Sequence, residues 1–168
     1  YRYNLYNGYA EGGTNFLDYY TGISQSDTKW YRKNNGLETT DFNSNVTFKP
    51  ADSFHVKLEG AYHKDWYGQP GALKPADIAV VGWRGSIHPN DRAKTEDLYI
   101  MGTPEIKCSS GSDEATISSE VLARGRRTAS VSYSSFGNTE LNNHIKTFGV
   151  TPKIAANIDI LGILHKLI

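Results

Sequence analysis

The sequence has no long apolar run. No stretch approaches the ~18 consecutive apolar residues from which a membrane-spanning helix is built, so a helical span within these residues is excluded. Cysteine occurs once, as Cys108. A single thiol closes no internal disulfide and builds no multi-cysteine zinc site; Cys108 reads as a small filler side chain. Methionine also occurs once. Net charge is missing as well: 18 Lys and Arg are balanced by 18 Asp and Glu. A neutral chain has no bulk attraction for a phosphate backbone, so nucleic acid is not an expected partner. Nothing at the start resembles a secretory leader. Tyr1-Arg2-Tyr3-Asn4-Leu5-Tyr6 already reads as a strand, so the leader of an exported protein is expected upstream. The closing Lys166-Leu167-Ile168 stops in mid-pattern. Both ends look cut.

What the sequence does contain favours β-structure. Aromatic residues make up 12% of it, 11 of them tyrosines, alongside 16 glycines. Tyrosine and glycine are both poor helix formers. Mean hydropathy is negative, which does not exclude a membrane β-barrel. Barrel strands alternate apolar and polar residues and average out as polar.

Period-2 alternation is the dominant signal. Phe54, Val56, Leu58, Gly60 and Tyr62 share one parity; His55, Lys57, Glu59, Ala61 and His63 share the other. A strand sends the two sets to opposite faces. Phe42, Val46 and Phe48 alternate in the same way with Asn43, Asn45 and Thr47, as do Phe148, Val150 and Ile154 with Thr147, Thr151 and Lys153. The pattern predicts seven strands: Tyr1–Glu11, Phe16–Asp27, Leu37–Lys49, Phe54–Tyr67, Lys94–Lys107, Ala115–Ser132 and Leu141–Ala155. Several exceed the usual strand of about five or six residues, whereas a tilted membrane strand needs about 9–11. The apolar set of the fourth strand is expected to face lipid and the charged set a wet interior.

Tight turns are expected at Gly12-Gly13-Thr14-Asn15, Pro50-Ala51-Asp52-Ser53 and Ser109-Ser110-Gly111-Ser112-Asp113. They alternate with longer connections at Thr28–Gly36 and Gly68–Ala93 and a moderate one at Tyr133–Glu140. Short turns at one end and long loops at the other are the habit of outer-membrane barrels. Within the longest loop, Lys74-Pro75-Ala76-Asp77-Ile78-Ala79 suits a short helix with Pro75 in its first turn. No repeat, low-complexity tract or domain boundary interrupts the chain.

The stretch Tyr62-His63-Lys64-Asp65-Trp66-Tyr67-Gly68-Gln69-Pro70-Gly71-Ala72-Leu73 resembles the strand-to-loop passage of TonB-dependent receptor barrels. Trp30-Tyr31-Arg32-Lys33-Asn34-Asn35-Gly36 resembles that family's loop before a strand, and Arg124-Gly125-Arg126-Arg127-Thr128 its basic strand segment. Phe148-Gly149-Val150-Thr151-Pro152-Lys153, followed by Asp159-Ile160-Leu161-Gly162, resembles a strand and turn before a further hairpin. Cys108–Val121 departs from the family pattern, and Asn157–His165 is more apolar than its usual turn. The resemblance implies an all-β, antiparallel up-and-down meander that forms part of a large transmembrane barrel of roughly 22 strands around a plug. Residues 1–168 would be an open curved sheet of about seven strands, with the plug domain and remaining strands lying elsewhere. The implied location is the outer membrane of a Gram-negative bacterium. The implied activity is import of a scarce solute, such as an iron chelate (a siderophore) or a cobalamin-like ligand. The implied partners are outer-membrane lipid, that solute, and the TonB complex acting through the plug.

The search for chemistry returns little. His55 and His63 share a face but lie roughly 26 Å apart at ~3.3 Å per residue, too far to bind one metal. Glu96 and Asp97 are strand neighbours on opposite faces and cannot act as a glycosidase pair. No Gly-x-Ser-x-Gly elbow and no phosphate loop occurs. We therefore expect no catalytic residue, metal site or cofactor. Arg124 and Arg126 are expected to face the interior and pair with Asp or Glu of neighbouring strands, with Arg127 on the other face unless Gly125 marks a bulge. Trp30, Tyr31, Trp66 and Tyr67 sit at strand ends, where an aromatic girdle belongs; Trp66 and Tyr67 have opposite parity. Solute contacts are expected in Gly68–Ala93, from Gln69, Trp83, Arg84, His88 and Arg92, because a rigid scaffold commonly carries its binding groups on loops. Two alternatives stand beside this reading: a soluble all-β carbohydrate- or ligand-binding module, and a β-rich hydrolase.

Overall fold

The alternation seen in the sequence becomes one sheet. The computed structural model describes residues 2–110, 113–134, 136–160 and 163–167. Its strands are β1 (Arg2–Gly13), β2 (Leu17–Lys29), β3 (Gly36–Ala51), β4 (Phe54–Gly68), β5 (Arg92–Ser110), β6 (Asp113–Ser134), β7 (Gly137–Ile160) and β8 (Ile163–Leu167). All eight lie in one sheet in the order β1-β2-β3-β4-β5-β6-β7-β8, each antiparallel to its sequence neighbour. The sheet is open, and β1 and β8 do not meet. The seven expected strands correspond to β1–β7, and the short β8 is an addition. The expected turns at Gly111-Ser112 and Leu161-Gly162 lie outside the described residues.

The expected moderate loop at Tyr133–Glu140 does not exist in that form. β6 runs on to Ser134 and β7 starts at Gly137, with Tyr133 opposite Asn138 and Val131 opposite Glu140. The strands outlast their apolar alternation because the sheet continues past its apolar zone. The same extension carries β5 back to Arg92 and β7 forward to Ile160. The predicted helix is present as α1 (Pro75–Val81), with Pro75 in its first turn. Asp77 Oδ2 accepts a hydrogen bond from the Lys74 backbone N–H at 2.8 Å, which fixes the start of the helix.

Cross-strand register sorts the side chains into two faces. Directly opposed residues share a face, so Ile23, Phe42, Tyr62 and Leu98 form one row. Ile100, Ala123 and Phe148 belong to the next row, and Val46, Leu58, Gly102, Val121 and Val150 to the one after. Phe48, Val56 and Pro104 follow, and then Phe54, Ile106, Ile117 and Ile154. This is an apolar belt across β2–β7. The opposite face carries His55, Lys57, Glu59 and His63 on β4 and holds most of the ion pairs: Lys49–Asp18, Lys57–Glu59, Arg124–Asp97 and Lys153–Glu120. The one register shift among the described pairs lies between Phe48 and Ala51, before the tight β3–β4 turn.

Among the described residues no second layer covers either face. Ala93 is the only buried hydrophobic residue among those described. Along the belt Leu58 is 51% exposed, Ile100 52% and Phe148 73%.

Candidate functional site

The described residues pack best at the long-loop end of the sheet, where Gly68, Gly85, Asp91 and Ala93 are buried. Polar side chains hold this region together. Asn34 sits in the β2–β3 connection with a left-handed φ of 53°, a conformation asparagine tolerates better than most residues. Its side-chain amide donates to the backbone carbonyls of His88 at 2.6 Å and Asp91 at 2.7 Å. Arg32 donates to the carbonyls of Gly85 at 3.2 Å and Pro70 at 3.3 Å. The Lys33 N–H donates to the Arg84 carbonyl at 2.7 Å. The six-residue connection 30–35 thereby ties down both limbs of the long loop 69–91.

Asp91 locks the loop from the other side. Its residue exposure is 5%, yet its carboxylate is well supplied with donors. It accepts the Tyr133 backbone N–H at 2.8 Å and the Ser132 hydroxyl at 3.1 Å. Its carbonyl accepts the Gln69 N–H at 2.9 Å. His88 Nδ1 lies 3.0 Å from Asp91 Oδ2 but makes no hydrogen bond by its geometry. The β2–β3 connection, the start of the long loop and the end of β6 therefore converge on Asp91, the first two on its carbonyl and the last on its carboxylate. Gly68 is needed beneath Asn34, because a β-carbon there would fall 2.5 Å from the Asn34 carbonyl oxygen.

The five loop residues expected to contact a solute separate into three groups. Gln69 and His88 belong to the docked base. Trp83, 75% exposed, and the exposed Arg84 stand beyond α1, just after Gly82, whose φ is 73°. Arg92 is the first residue of β5, opposite Gly68 and Val131 on the belt face. Trp83 and Arg84 thus remain together as an open aromatic and cationic pair, beside the exposed Val80 and Val81.

A second polar constellation lies on the face opposite the belt. An open hollow of about 410 Å³ is lined by Asp41, Asn43, His63, Asp97, Tyr99 and Arg124, among others. His63 Nδ1 is 2.6 Å from Asp41 Oδ1, and Nε2 is 3.3 Å from Asp65 Oδ2. Arg124 binds Asp97 through Nε at 2.9 Å and again through its terminal nitrogen. Both ring nitrogens of His63 are engaged, so the ring ties strands together and has no free nitrogen to act as a base. The Arg124 pairing agrees with the sequence expectation. Arg126 lies directly opposite Asp97 on the same face. Register runs through Gly125 without a shift, which puts Arg127 on the belt face.

Sequence reasoning missed Asn34 and Asp91, the two residues that hold the loop. The only local signal was Asn34-Asn35-Gly36, a turn-forming run. No known protein-family model matches the chain, and no curated protein matches it.

Proposed function

We propose that this chain is a sector of the β-barrel of an outer-membrane receptor, of the TonB-dependent type suggested by its sequence, which captures a scarce solute at the cell surface and imports it. The observation that carries the reading is the uncovered apolar belt. A water-soluble sandwich hides such a face against a second sheet, and here one buried hydrophobic residue serves the whole described chain. Exposed apolar surface on this scale calls for a nonaqueous neighbour. The rows from Phe54 to Tyr62 span ~27 Å along the strand at ~3.3–3.4 Å per residue. Tilted by ~40°, they reach a height of ~20 Å, close to the ~25 Å apolar band of outer-membrane barrels. Most of the ion pairs gather on the opposite face, as suits a polar interior.

The docked loop supports the capture role. A loop held by hydrogen bonds at its base keeps its outer residues in place, which limits the ordering cost of binding. Trp83 offers a flat indole surface and Arg84 a guanidinium, a pair suited to a large, partly anionic chelate. The test is the intact receptor with Trp83→Ala and Arg84→Gln, measured for solute binding on whole cells. Weakened affinity at unchanged surface abundance supports the reading. Unchanged affinity in both variants refutes the assignment of this pair.

A further inference from the structure

The belt face continues beyond its last apolar row toward the long loops, and its composition changes abruptly. Past the row of Phe42, Tyr62 and Leu98 comes Lys64, opposite Glu96, which is opposite Arg127, which is opposite His144. Lys146 lies opposite Gly125, at the level of Leu98. Lys94 stands one row further out, opposite Trp66. Four cations thus border the belt around a single carboxylate, Glu96, which Lys94 already engages at 2.7 Å. Lys64, Arg127 and Lys146 are exposed; Lys64 and Arg127 act on Glu96 through charge alone and, like Lys146, make no close ion pair or hydrogen bond among the described residues. Glu38, opposite Trp66 on β3, and Glu140, opposite Val131 on β7, lie farther out at the flanks.

Among the described side chains the other rim of the belt has no counterpart. There the same face carries Ala51 in the row of Phe54 and Ile106, and Cys108, Ala115 and Ala156 beyond it. A surplus of cations over carboxylates among the described side chains therefore borders the belt at one rim, the one at the long-loop end. Between Arg127 and Lys146 the surface is notched: Gly125 has no side chain, and a β-carbon built on it would meet nothing within 4 Å. Adjacent strands are ~4.8 Å apart, so Lys64 and Arg127 flank Glu96 at ~10 Å from each other. Lys146 stands diagonally across one strand spacing from Arg127, within reach of a shared oxyanion.

We propose that Lys64, Arg127 and Lys146 bind the phosphate groups of an anionic lipid whose acyl chains lie along the belt below, with the Gly125 notch beside Leu98 receiving the headgroup. The inference rests on the belt face being lipid-facing. The occupant follows from position and charge: an oxyanion attached to an apolar tail satisfies the cations and the adjoining Leu98, Ile100 and Phe148 together. A free phosphate would use only the cations. Arginine suits the phosphate best, since its fork donates two parallel hydrogen bonds.

The experiment uses the intact receptor in detergent, supplied with a diphosphorylated glucosamine-based acyl lipid, the same lipid without phosphates, phosphatidylcholine, or inorganic phosphate. Retained lipid is counted by native mass spectrometry. The phosphorylated lipid should be retained roughly tenfold better than its dephosphorylated form at moderate salt, and the preference should vanish in Lys64→Gln/Arg127→Gln/Lys146→Gln. This triple variant breaks no ion pair or hydrogen bond and removes only the through-space attraction of Lys64 and Arg127 to Glu96, which Lys94 still engages, so it should keep the heat-resistant folded band of the parent. Equal retention by parent and triple variant overturns the proposal, as does inorganic phosphate competing as well as the lipid. If Leu58→Arg leaves membrane assembly intact, the lipid-facing reading itself has failed. If that variant is impaired but retention ignores the phosphates, only the lipid site has failed.

Discussion

Leu58 occupies the middle row of the apolar belt, between Val46 of β3 and Gly102 of β5, and it is 51% exposed. On a lipid-facing strand it lies near the bilayer midplane, where arginine or lysine costs ~2–4 kcal/mol. Leu58→Arg should therefore lower the folding equilibrium in lipid by roughly 30- to 700-fold at 1.4 kcal/mol per tenfold. The neighbouring Lys57 points to the other face and pairs with Glu59 at 2.9 Å. Such an exposed pair contributes ~0–1 kcal/mol, so Lys57→Ala should cost no more than that. The assay is urea titration of the protein refolded into phosphatidylcholine vesicles, followed by the heat-resistant band on gels. A large loss for Leu58→Arg beside a small one for Lys57→Ala is the expected result. Equal losses, or a larger one for Lys57→Ala, would refute the assignment of faces.

Asn34→Ala removes two hydrogen bonds to the long loop, and at ~0.5–1.5 kcal/mol each it should raise the rate of proteolytic nicking between residues 69 and 91 without preventing assembly. Asp91→Ala removes the acceptor of the Tyr133 N–H and the Ser132 hydroxyl, a loss of ~0.5–1.5 kcal/mol per hydrogen bond; faster amide exchange at Tyr133 is the readout, and unchanged exchange there would contradict it. Asp97→Asn weakens the Arg124 pair on the opposite face, where Arg124 is half exposed. Solvent screens so exposed a cation, so the urea midpoint should barely move; a large shift would contradict this.

The belt was legible in the sequence because alternation needs only one chain. Phe54, Val56, Leu58 and Tyr62 declare their face against His55, Lys57, Glu59 and His63. Where the sheet outruns the belt, that signal disappears. Gly137-Asn138-Thr139-Glu140 has no apolar parity, so it reads as loop, yet it pairs with β6 throughout. Arg127 was ambiguous for a related reason: only the uninterrupted pairing across Gly125 decides which face it takes. The loop base was illegible for a different reason. Asn34 bonds backbone carbonyls more than fifty positions away, and backbone acceptors leave no trace in residue identity. Trp83 and Arg84 were singled out by chemistry, and they are the pair that the fold leaves open. Gln69 and His88, chosen on the same grounds, are absorbed into the base.

The central claim is that the two faces of β4 meet different solvents. Single cysteines from Phe54 to His63, placed in the protein with Cys108 replaced by serine, can carry a nitroxide in lipid vesicles. Collision with oxygen, which concentrates in lipid, and with a water-soluble nickel chelate then reports the surroundings of each position. The account predicts strict alternation: oxygen dominates at 54, 56, 58, 60 and 62, and the nickel chelate at 55, 57, 59, 61 and 63. Uniform access of the nickel chelate along the strand, with no period of two, would contradict it.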